Sequence, residues 1–115
     1  MKFYENFLVN LRSNPVYLDG FDSRESVFSN FAKSEDTDIK ILYASYSCEC
    51  YEGYATVIFY RESTGKIYEI YGSHCSCFGL EGQWEREEEI LPEELFNRLA
   101  ELKGLYEEWE KGFAQ

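Results

Sequence analysis

Three runs of strand-forming residues in close succession restrict this chain more than any other feature. Ile39–Ser47 and Tyr54–Glu62 are rich in Ile, Val, Tyr and Thr, and Lys66–Tyr71 alternates apolar with polar side chains. Such segments suit a pleated, half-buried surface. Ser63-Thr64-Gly65 joins the second run to the third, with a glycine free to take the positive φ of a tight hairpin. The Cys48–Gly53 link between the first and second is also of hairpin length. Connections this short force the strands up, down and up, so the expectation is a three-stranded antiparallel meander.

A bare three-stranded sheet needs a covering layer, and the flanks supply one. Tyr4, Phe7, Leu8 and Leu11 fall at i, i+3, i+4 and i+7, one apolar face of a helix over residues 3–12 that Asn14-Pro15 ends. Asp22 or Ser23 is placed to cap a second helix, with Asp22 and Glu25 at capping-box spacing and Val27, Phe28, Phe31 and Ala32 as its buried stripe. Ser34 to Asp38 is a charged break. Later, Pro92 suits a first helical turn, and Glu93 and Glu94 complement the positive end of its dipole. Leu95, Leu99, Leu102, Tyr106, Trp109 and Phe113 then recur at alternating four- and three-residue steps. That seam predicts a long C-terminal helix packed on the sheet. The fold expected is α+β, one domain over residues 1–115: the meander, two N-terminal helices and the long C-terminal one.

Ten Tyr, nine Phe and two Trp give a chain of 115 residues ample material for a core without disulfides or a metal. No stretch of about 18 apolar residues is present, so no spanning helix is expected. Met1-Lys2-Phe3-Tyr4-Glu5-Asn6 lacks the basic start and apolar core of a secretory signal. The expected setting is intracellular, where the four cysteines are thiols or metal ligands. With 22 acidic residues against 11 basic and a net charge of −11, direct binding to nucleic acid is disfavoured. A basic protein surface is the better electrostatic partner.

Reactive and conformationally special residues concentrate in Tyr71–Trp84, which holds the single histidine, two cysteines, three glycines and a tryptophan. In an up-down-up meander, Cys48 and Cys50 lie just past the first strand and His74, Cys75 and Cys77 just past the third. Both groups then stand at one end of the sheet, about 10 Å apart, twice the interstrand spacing. These five side chains are candidate zinc ligands for a tetrahedral site that needs four. Their Cys-x-Cys spacing would have to be bent into tight turns, because alternate residues of a strand stand about 7 Å apart. Thiol chemistry is a second candidate, with His74 activating Cys75 or, across a turn, Cys77. No triad is apparent, and the expectation is that the chain is not an enzyme. The third candidate is the acidic end. Residues 81–115 carry eleven glutamates against four Lys or Arg, a net −7. Glu94–Arg98 and Glu107–Lys111 are ordinary i,i+4 pairs of a solvated helix face.

The string Tyr68-Glu69, Gly72-Ser73-His74-Cys75-Ser76-Cys77, Gly79-Leu80-Glu81 and Trp84, preceded by Tyr51-Glu52-Gly53-Tyr54, resembles a family of small, mostly uncharacterised proteins encoded by bacteriophages and prophages. The resemblance covers roughly residues 40–100. The family looks to carry a Trp-x-Pro-Glu-Glu turn where this chain reads Trp84-Glu85-Arg86-Glu87-Glu88, and Cys48 and Cys50 fall outside its pattern. It brings no catalytic role for His74, Cys75 or Cys77. What the resemblance implies is a phage accessory protein acting in the cytoplasm of a bacterial host. There it would inhibit a defence system, in the manner of anti-CRISPR or anti-restriction proteins, by binding a host defence protein or nuclease complex. The acidic segment makes Glu85, Glu87, Glu88, Glu89, Glu94, Glu101 and Glu108 the expected contacts, with exposed Tyr or Trp side chains, Trp84 among them, as aromatic anchors. A zinc-stabilised interaction module and a thiol-dependent enzyme are the alternatives.

Overall fold

Alternation along residues 39–74 builds the sheet, and everything else is laid against it. The computed structural model describes residues 2–49, 52–75 and 79–100. In chain order the elements are α1 (Lys2–Ser13), β1 (Val16–Asp19), α2 (Arg24–Asn30), β2 (Ile39–Glu49), β3 (Glu52–Arg61), β4 (Lys66–His74), β5 (Glu88–Ile90) and α3 (Pro92–Ala100). The fold is α+β. The expected meander is present as β2-β3-β4, but it is the centre of a five-stranded mixed sheet ordered β1-β2-β3-β4-β5.

The two added strands explain themselves physically. Val16-Tyr17-Leu18 is too short to show a period, yet it pairs in parallel with Tyr43, Ala44 and Ser45, and α2 lies in the connection that a parallel pair requires. Asp19, at φ 58°, ends β1, and Gly20 N–H then bonds the Tyr46 carbonyl at 2.8 Å. On the far edge, Glu88 and Glu89 read as acidic surface in sequence. Ile90 nevertheless sits opposite Ile67, and Lys66 pairs with Glu89 at 3.5 Å.

Each face of the sheet has its own core. On one, Phe21, Val27, Phe28, Phe31 and Leu80 cover Ile39, Ile41, Ala44, Ala55, Val57, Phe59 and Ile70. On the other, Leu11 of α1 and Leu95 of α3 pack with Leu42, Tyr43, Ile58, Ile67 and Ile90. Burying each leucine or isoleucine contributes about 1.5–3 kcal/mol. A register shift between Ile41 and Tyr43 inserts Leu42, so Leu42 and Tyr43 both reach the second core.

Two local expectations are corrected. Ser23 caps α2, and the capping box closes with Ser26, not Glu25: each serine Oγ accepts the other's N–H at 3.1 Å. Ala32, expected in the buried stripe, is exposed at φ 53°, because the chain has already left the helix at Phe31. The described part of α3 ends at Ala100, and Leu102, Tyr106, Trp109 and Phe113 lie outside the described residues. Among the described residues no helix is long and apolar enough to cross a membrane.

Candidate functional site

Register decides what the end of the sheet looks like. Cys48 stands opposite Gly53, and Gly53 opposite His74, so the three share one face across β2, β3 and β4. Tyr46, two residues before Cys48, shares that face. With no side chain on Gly53, the imidazole of His74 swings over β3 and meets the Tyr46 hydroxyl. Its other nitrogen, Nδ1, bonds the Cys75 carbonyl at 2.8 Å. A carbonyl only accepts, so in the neutral ring Nδ1 carries the proton and Nε2 accepts from Tyr46. Burial, then the nearby Cys48 and Glu81, pushes the Tyr46 phenol above its ordinary value.

Cys48 and Cys75 are exposed free thiols. Cys50 and Cys77 lie outside the described residues. Both nitrogens of His74 are already engaged, and among the described residues no group of three or more His, Cys, Asp or Glu is placed to hold a metal ion. Of the five expected zinc ligands, the described ones, Cys48, His74 and Cys75, lie at one end of the sheet.

Three of the expected contact residues have internal partners: Glu89 pairs with Lys66, and Trp84 and Glu87 share a network. Trp84 stacks on Phe28 and Phe59 at 5.6 and 5.5 Å and meets Phe31 edge-on, with Lys33 over its ring. Its indole N–H bonds Glu87 at 3.0 Å. Glu87 in turn holds Arg61 through both carboxylate oxygens, at 2.7 and 2.8 Å, and Arg61 also pairs with Asp36 and Asp38. This network pins the 84–87 segment to β3. Glu85, Glu88, Glu89 and Glu94 are exposed, as are Glu81 and Glu93, while Glu101 and Glu108 lie outside the described residues.

Tyrosine anchors are expected beside these glutamates, but the sequence does not single out which tyrosines are exposed. Tyr54 and Tyr71, 58% and 57% exposed, project from the half of the sheet that α1 and α3 leave open. They are diagonal neighbours, since Thr56 stands opposite Tyr71 and Tyr54 opposite Ser73. Tyr54 donates to Glu52 at 2.9 Å, and that bond holds its phenol above the ordinary value. Burial and then Glu88 do the same for Tyr71. Hollows of about 310 and 410 Å³ are both lined by Tyr71 and Gln83. Gln83 is fixed there, accepting from Ser73 N–H at 2.8 Å and donating to the Gly79 carbonyl at 2.9 Å. Period-two strands beside a short Gly-rich loop are the signal that points to such a groove, but the register that pairs its walls is a long-range property.

No protein-family profile, curated protein or solved structure gives a significant match to this chain.

Proposed function

We propose that the chain is a non-enzymatic binding protein whose acidic face docks on a positively charged, nucleic-acid-binding surface of a partner protein. In line with its resemblance to phage-encoded proteins, that partner is a defence protein or nuclease complex of a bacterial host, inhibited by stoichiometric occupation. One observation carries the reading: Glu81, Glu85, Glu88, Glu89, Glu93 and Glu94 are all exposed within a segment whose only basic residue is Arg86, beside exposed Tyr71. Carboxylates steer a cationic partner, and the tyrosines offer rigid contact area. Glu87 and Trp84 serve this face indirectly, by fixing the loop that presents it.

The test is capture from a bacterial host lysate at rising salt, followed by competition with duplex DNA. A partner whose DNA binding is blocked one-to-one, and which is released as salt rises, supports the proposal. A partner still held in about 1 M salt, where the Debye length is about 3 Å, contradicts its electrostatic basis.

A further inference from the structure

Tyr71 and Gln83 line both of two hollows near the end of β4, which adjoin at these shared residues as one groove. One half is rimmed by Glu85 and Glu88, with Arg86 on the same rim, and the other is bounded by Tyr54 and floored by Ala55, Thr56 and Gly72. We propose that this groove is an arginine-docking subsite, in which a guanidinium on a loop of the partner protein lies against the Tyr71 ring and donates to Glu85 and Glu88. The proposal rests on the binding reading above and names the side chain that the acidic face selects.

The chemistry favours guanidinium over the other cations and over nucleic acid. A guanidinium is planar, stacks on an aromatic face, and carries five donors in a fork that fits carboxylates. An ammonium is more strongly hydrated and has no face to stack. A nucleobase would also stack on tyrosine, but its phosphates would meet Glu85 and Glu88 against the single charge of Arg86. The walls are set in advance: Gln83 is bonded at both ends of its amide, and the 84–87 segment is tied to β3 through Arg61 and Glu87. A pre-formed groove loses little entropy on binding.

Titration of the isotope-labelled chain with a hexa-arginine peptide, followed by amide chemical shifts, tests this directly. Expected are shifts centred on Tyr71, Gly82, Gln83 and Glu88, with a hexa-lysine peptide binding about fivefold more weakly. Tyr71→Ala weakens hexa-arginine by about five- to tenfold. Glu85→Gln/Glu88→Gln weakens it far more than Glu25→Gln/Glu62→Gln, which removes the same charge from α2 and the β3–β4 turn. Equal losses in the two double variants, or equal binding of arginine and lysine peptides, overturn the groove. In that case capture of a salt-sensitive partner from lysate still stands, so the two readings fail separately. Preferential binding of an oligothymidylate in the groove overturns both.

Discussion

The imidazole of His74 occupies the space that a side chain on Gly53 would take: a Cβ there would lie 2.7 Å from Cε1 and 2.8 Å from Cδ2 of the ring. The Tyr46–His74 bond exists because residue 53 is glycine. Gly53→Ala is expected to cost about 1–3 kcal/mol, the range for forcing extra volume into a packed site. In a His74→Ala background the same substitution should cost much less, since the obstructing ring is gone. Urea unfolding of the four members of this cycle reads the coupling directly. Simple additivity would show that the ring does not sit over Gly53 in solution.

Arg61 is the hub that fastens the 84–87 segment. Its side chain is 19% exposed and faces Asp36, Asp38 and Glu87. Arg61→Met leaves three carboxylates without their counter-charge. The expected loss is about 2–3 kcal/mol, less than for a fully buried pair because the guanidinium keeps some water contact. A second readout separates this from general destabilisation. Trp84 hydrogen-bonds Glu87, so its fluorescence should move toward that of solvent-exposed indole while the chain remains folded.

The same hub gives the protein an acid-sensitive joint. Asp38 is held below its ordinary value chiefly by the Ser63 hydroxyl, which outweighs an opposing desolvation effect, with Arg61 and the Ser63 N–H adding to the lowering. A carboxyl with a lowered folded value contributes stability that is complete above its unfolded value of about 3.9 and is lost as pH falls through the folded value. Melting temperature should therefore fall on acidification below about pH 4. In Ser63→Ala that acid limb should be shallower, because the chief cause of the shift is gone. Thermal melts of both proteins between pH 2 and 6 check it, and parallel curves would remove Asp38 from the account.

How far the sequence revealed this fold depended on the range of the information. The central strands, α1 and α2 follow from local period and composition: Ile39–Ser47 became Ile39–Glu49, and Asn14-Pro15 does end a helix. β1 and β5 were not legible, because four and three residues carry no period and their pairing energy comes from Tyr43–Tyr46 and Ile67–Glu69, distant in sequence. The placement of Cys48 and His74 at one end of the sheet followed from meander topology alone. What occupies the space between them did not: that Tyr46 meets His74 depends on the missing side chain of Gly53. Trp84 and Glu87 looked like surface because their neighbours are acidic, yet Phe28, Phe59 and Arg61 claim them from elsewhere in the chain.

At the alkaline end the tyrosines report which faces of the sheet stay closed. Burial raises the phenols of Tyr43 and Tyr46, with Asp19 adding to the first and Cys48 and Glu81 to the second. A phenol whose folded value is raised contributes stability that is complete below the unfolded value of about 10 and is lost as pH rises through the folded value. Phenolate absorbance should therefore show an early phase from ordinary tyrosines and a late phase that coincides with unfolding. Tyr46→Phe should remove part of the late phase and release His74 Nε2 from its hydroxyl partner. If every tyrosine of the native protein ionises together near pH 10, the packing around Tyr43 and Tyr46 is looser than the register of β2 requires.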